Sequence, residues 1–265
     1  MFKRLTFLRT SIAAAVATTA GLAAAQAAEP IAQEEPWRFQ VTPYVWLLGM
    51  DARMDDRPYF QNAKISQSFS DIWDNLNTAA FLNGTARKGP YVLQADSSYA
   101  SLSDTATLPL SSSLNAKVSA KVKQTSFTLT GGYNWAITPS DSVDLMAGFR
   151  WWHLKGSLDA KELAQKAHLK KSEVRLNKSF ADPIVAVRWR HDFNDRWSSL
   201  LYADYGTFSG GSQSTYQGLA VLNYRVGDNI YISAGYRTLD VDYRDNGKRL
   251  DVRLSGPVLG ATFRF

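Results

Sequence analysis

Cysteine is absent from all 265 residues. That excludes a disulfide framework, a zinc–thiolate centre and a thiol nucleophile. Histidine is scarce, with three residues, and neither Gly-x-Ser-x-Gly nor His-Glu-x-x-His occurs. After residue 27 there is no apolar run long enough to stop transfer across a membrane as a helix. A strong excess of one charge is missing too. The formal charge is +6, but Lys3, Arg4 and Arg9 sit in an acid-free opening segment, which leaves 27 basic against 24 acidic residues. That balance, with no basic stripe, argues against a nucleic-acid partner.

What is present begins with an address. Lys3, Arg4 and Arg9 form a positive region, Ile12 to Ala25 is a small-residue apolar run, and Ala25-Gln26-Ala27 is an A-x-A site. Residues 1–27 read as a cleavable signal peptide, with the mature chain starting at Ala28. Residues 28–36 read as a flexible acidic lead and 37–265 as one all-β unit.

That unit is patterned with period two. Phe127, Leu129, Gly131, Tyr133 and Trp135 share one face, opposite Thr128, Thr130 and Asn134. Leu145, Ala147, Phe149 and Trp151 oppose Asp144, Arg150 and Trp152, the last ambiguous in place. Val185, Val187 and Trp189 oppose Arg188 and Arg190. Short turns at 87–90, 138–141, 194–195 and 227–229 alternate with longer polar connections near 102–116, 156–172, 207–214 and 244–249. Short periplasmic turns alternating with long extracellular loops, and an apolar face ending in Trp or Tyr, define the expected fold. It is an antiparallel transmembrane β-barrel of about ten strands, in the range 10–12. The Ser/Thr-rich stretch 101–115 reads as a long mobile loop. Ser68 to Leu76 reads as a short helix starting at Ser70 or Asp71. If 61–70 is a strand, a hairpin partner must exist and the count becomes twelve.

Candidate chemistry concentrates on the inward face. Asp96, Arg150, Arg188, Arg190, Asp204, Arg225, Arg237 and Arg264 all fall in the lumen register. One reading is an ion-pair network around Asp96 and Asp204 that fills the barrel. The other is a water-filled pore favouring anions. A barrel of about ten strands sits between those outcomes. His153 reads as an interfacial aromatic beside Trp151, His168 as part of a Lys-rich external loop over 161–178, and His191 as a turn residue near Asp192 and Asp195. No catalytic residue, metal or cofactor is assigned. An enzyme acting on lipid or peptide is the reading that remains from another class.

The chain ends Val258-Leu259-Gly260-Ala261-Thr262-Phe263-Arg264-Phe265. This resembles the terminal signal read by the outer-membrane barrel-assembly machinery, with Gly260, Phe263 and Phe265 as its marks. The order of Val41-Thr42-Pro43-Tyr44-Val45-Trp46, Phe69-Ser70-Asp71-Ile72, Asp182-Pro183-Ile184-Val185, Gly235-Tyr236-Arg237-Thr238-Leu239 and Gly256-Pro257-Val258-Leu259-Gly260 is similar to a family of uncharacterised, porin-like outer-membrane barrels of proteobacteria. The resemblance covers roughly 37–265 and implies the barrel fold and the outer membrane. It implies lipid, lipopolysaccharide and the assembly machinery as partners, and brings no catalytic residues with it.

Overall fold

Strand-forming, two-faced segments cannot end without leaving backbone groups unpaired, and here the chain solves this by closing on itself. The computed structural model describes residues 35–56, 60–111, 114–159, 173–207, 214–245 and 248–265. Residues 1–27, read as a signal peptide, and nearly all of 28–36, read as an acidic lead, lie outside them. The elements are β1 (Arg38–Trp46), β2 (Gly49–Asp56), β3 (Phe60–Gln67), α1 (Phe69–Asp74), β4 (Leu76–Lys88), β5 (Tyr91–Ser111) and β6 (Leu114–Ala136). They continue with β7 (Asp141–Asp159), β8 (Glu173–Asp192), β9 (Trp197–Thr207), β10 (Ser214–Arg225), β11 (Ile230–Asp245) and β12 (Lys248–Arg264).

Strands β4 to β12 pair antiparallel in chain order, and β1 pairs with β4 on one side and β12 on the other, so ten strands form a closed ring. The seam is tied by Phe39 and Phe265, each backbone N–H donating to the other's carbonyl at 3.1 and 2.9 Å. Closure removes the row of unpaired groups that an edge strand would present. One end of the ring carries the seam ends and the short turns. In the β4–β5 turn Gly89 has φ +55°, a left-handed conformation that glycine enters without a Cβ clash.

The strand count has a resolution that periodicity did not offer. Residues 60–67 are a strand and β2 is its hairpin partner, making twelve strands, yet the ring stays at ten. β2 does not enter as a new neighbour. It continues the line of β1 along the same strand, β12, which pairs with β1 through Val258–Arg264 and with β2 through Lys248–Ser255.

The stretch 101–115 is not a loop. β5 and β6 stay paired to Ser111 and Leu114, so the expectation of a mobile connection is overturned. Thr is a favoured strand residue, so a Ser/Thr-rich composition does not by itself mark a loop. The connections expected at 156–172 and 244–249 shorten too, while the one at 207–214 keeps its expected bounds. β7 extends to Asp159 and β8 begins at Glu173, β9 and β10 reach Thr207 and Ser214, and β11 and β12 reach Asp245 and Lys248. Lys178 is therefore in a strand, whereas His168 lies outside the described residues.

The helix also starts earlier than expected. Ser68, not Ser70 or Asp71, is the N-cap, and Asp71 completes a capping box. The Asp71 carboxylate accepts from the Ser68 backbone N–H at 2.8 Å and from its hydroxyl at 2.6 Å. These hydrogen bonds hold its pKa below the usual carboxylate range.

Candidate functional site

Alternation divides every strand of the ring into two faces. Outward lie Leu82, Leu93, Leu145, Val185, Leu201, Leu222, Ile232 and Leu259, all exposed. Tyr91, Trp135 and Trp197 flank them near the short turns, and Trp151, Tyr205, Tyr216 and Tyr236 flank them toward the other end. His153 belongs to this face, stacked on Trp151 and hydrogen-bonded to Ser179. His191 stacks on Trp189, and its partner is Asp141 across the ladder at 2.8 Å, not Asp192 or Asp195.

The interior holds three clusters of buried charge. Near the short turns, Asp144 (2% exposed) accepts two hydrogen bonds from Arg87 at 3.0 and 2.7 Å, one from Arg188 Nε at 2.7 Å and one from Asn134 at 2.6 Å. Arg188 donates onward to Gln94 at 2.8 Å. In the second cluster Arg150 forks onto Asp204 at 3.1 and 2.6 Å and donates from Nε to Thr128 at 3.0 Å. Asp182 faces Arg150 across the β7–β8 ladder and is wholly buried; among the described residues neither of its oxygens meets a partner in good hydrogen-bond geometry. The third cluster is centred on Arg237. It donates to Asp96 at 3.2 Å, to Gln217 at 2.6 Å and to the Tyr44 hydroxyl, and its guanidinium lies 4.7 Å from the Trp46 ring centre. Tyr44 in turn donates to Asp96 at 3.1 Å.

Two apolar groups are buried beside these clusters. Trp46, Trp152, Leu239, Leu254 and Val258 pack together, and Val92, Met146, Ala186 and Tyr202 form a second group. Trp152, ambiguous in the sequence, points inward and is buried.

Of the sequence candidates, Asp96, Arg150, Arg188, Asp204 and Arg237 are brought into these clusters. Arg190 pairs with Asp192 at 3.0 Å near the short-turn end. Arg264 lies over Tyr231, 3.8 Å from the ring centre. Arg225 is exposed; it has the inward register but sits at the last position of β10, past the packed interior. Sequence reasoning put Asp144 on the polar face of its strand but left it out of the candidate set, and it missed Asp182, Tyr44 and Arg87 as members of the interior. Parity could have found the two carboxylates, since Asp144 lies six residues from Arg150 and Asp182 six from Arg188. Arg87 was assigned to a turn, and β4 carries it inward instead.

Below Tyr44 and Arg237, on the short-turn side, a cavity of about 150 Å³ remains, lined by Arg87, Arg188, Arg190, Arg237, Arg264 and Asp96 among others. At the opposite end a broader cleft of about 730 Å³ lies between β2, β10, β11 and β12, where Arg253 pairs with Asp240.

No family model matches the chain, and no curated protein matches its sequence. Solved structures do. The outer-membrane protease OmpT of Escherichia coli is 11% identical over 88% of this chain and 97% of its own, with a TM-score of 0.51. The translocator domain of the autotransporter NalP of Neisseria meningitidis is 12% identical over 86% of this chain and 88% of its own, with a TM-score of 0.45. At such identities the likeness extends to the fold alone: this chain is an all-β, antiparallel, closed ten-stranded barrel, as the alternating sequence pattern predicts.

Proposed function

We propose that this chain is an outer-membrane barrel whose lumen is filled, serving as a structural envelope protein and not as an open anion pore. Membrane embedding is supported by the outward apolar band and its flanking aromatic residues. In water such a continuous apolar surface would aggregate; in lipid it is the matching solvent. β9, at 11 residues, has the ~9–11 that a tilted spanning strand needs. The short turns and the seam then face the periplasm, and the projecting β5–β6 ribbon faces outward, within reach of lipopolysaccharide.

The observation that carries the filled-lumen reading is the packing across the interior. Arg150 and Asp204 side chains are 2% and 0% exposed, and Trp46, Trp152 and Leu239 are buried beside Arg237. Of the arginines that suggested an anion pathway, Arg150, Arg188, Arg190 and Arg237 are paired with carboxylates. Planar-bilayer recording of the purified protein tests this. No steady conductance is expected. A steady, anion-selective current that Arg237→Glu reverses would overturn the filled lumen in favour of a pore.

Assembly provides a second test. Phe265 is 74% exposed, and its contribution to the seam is through backbone hydrogen bonds. Replacing it with Asp leaves those bonds available, so refolding into detergent should proceed at the wild-type rate. Insertion by the barrel-assembly machinery should slow at least about fivefold, whereas Thr105→Asp on the projecting ribbon should change neither. Equal insertion of both variants would remove Phe265 from the recognition signal.

A further inference from the structure

The periplasm-side cavity has a charge its own residues do not balance. Five guanidinium groups line it: Arg87, Arg188, Arg190, Arg237 and Arg264. Three carboxylates answer them. Asp96 pairs with Arg237, Asp144 takes both Arg87 and Arg188, and Asp192 pairs with Arg190 at the rim. Even with Asp144 and Asp192 counted, which lie behind the lining, two positive charges are in excess among the described residues around this cavity. The donors are also incompletely used. Arg188 is 6% exposed, and among the described residues its Nη2 has no partner, nor has Nε of Arg237 or Nε of Arg264. A buried guanidinium N–H without an acceptor is costly, and the cost is removed by an occupant that accepts. The rest of the lining supplies uncharged polar groups suited to a small oxoanion, including Thr42, Asn83, Gln94, Asn223 and Ser233. Tyr44 and Arg237 lie at its inner end, so the cavity is a blind pocket and not a passage.

We propose that this pocket is a binding site for a small phosphate-class oxoanion entering from the periplasmic side, either free phosphate or a phosphomonoester. Arg188 supplies the deep donor, Arg264 the unneutralised charge, and Arg190 a guanidinium near the mouth. The orientation toward the periplasm rests on the barrel reading above, but the site itself does not require a conducting or a closed lumen.

The experiment is calorimetric titration of the detergent-folded full barrel with inorganic phosphate and, separately, with glycerol 3-phosphate, at low and high sodium chloride. One saturable site is expected, weakened as salt rises because its recognition is charge-based. Arg264→Gln should weaken it at least fivefold, and Arg188→Gln further. Gel mobility before and after heating verifies that each variant is folded, and Arg264, partly exposed at the end of β12, keeps the test decisive if the Arg188 variant does not fold. Arg253→Gln at the opposite rim should leave binding unchanged. Binding of inorganic phosphate identifies a free-ion site, and binding of the ester alone a headgroup site; both support the pocket. Absence of saturable heat from both ligands, or equal affinity in the Arg264 and Arg253 variants, would overturn it. Bilayer conductance is a separate readout, so a failed filled-lumen reading and a failed anion site are distinguishable.

Discussion

Asp204→Ala is expected to lower the unfolding free energy by about 3–5 kcal/mol, read as the shift of the urea midpoint of the folded barrel. The reason is asymmetry. Arg150 and Asp204 have side chains 2% and 0% exposed and share two hydrogen bonds. Removing the carboxylate leaves the guanidinium buried with only Thr128 as an acceptor and the unpaired Asp182 nearby. The double replacement Arg150→Met with Asp204→Leu removes both charges and should recover most of the loss, because apolar side chains of similar volume can replace a buried pair at little cost. A single-variant loss below about 1 kcal/mol would mean that water reaches the pair and that the interior is wetter than its packing indicates.

Gly148→Ala should abolish the folded, heat-modifiable form altogether. A Cβ at this position would overlap the carbonyl oxygen of Leu129 and approach Thr130 Cα to 2.8 Å. Both are backbone atoms of the neighbouring strand, and no rotamer change can relieve them. Overpacking that side chains can absorb costs about 1–3 kcal/mol, and separating two strands of a closed ring costs more. Gly131→Ala is the control, since a Cβ there meets Leu93 Cδ1 at 3.8 Å, an ordinary contact. Equal folding of the two variants would show that β6 and β7 can part without loss of the ring.

The sequence made the ring legible but not everything attached to it. Period-two alternation locates a strand and assigns its faces wherever one side is apolar, as at Leu145–Trp151 and Val185–Trp189. It fails where both faces have the same chemistry. Leu219 to Leu222 is apolar on both faces, and nothing there marks which residues fill the lumen. Alternation is also overlooked where composition speaks louder: Ala116, Val118, Ala120 and Val122 alternate with Lys117, Ser119, Lys121 and Lys123, yet the Ser/Thr-rich stretch before them passed for a loop. The Arg-rich inner face was visible because arginine is conspicuous. The carboxylates beside it were less so: Asp144 and Asp182 have the correct parity, but which side chains meet across the barrel depends on stagger, which one sequence does not encode. The β2–β3 hairpin required knowing that two successive strands share one neighbour, a matter of register between distant segments.

The seam between β1 and β12 concentrates the entropy of folding in one joint. Most neighbouring strands of the ring are also neighbours in the chain, so they meet through turns and short connections. At the seam, Thr42 and Thr262 hydroxyls meet at 2.8 Å across a separation of 220 residues. Closing a loop of that length costs about 3.5 kcal/mol more than closing a turn of about four residues. The meander β4–β12 can therefore form step by step, with the seam zipping last. Until it does, β12 offers an open edge at the very strand that carries Phe265, and the order of folding leaves the terminal strand free for as long as an assembly factor would need to hold it.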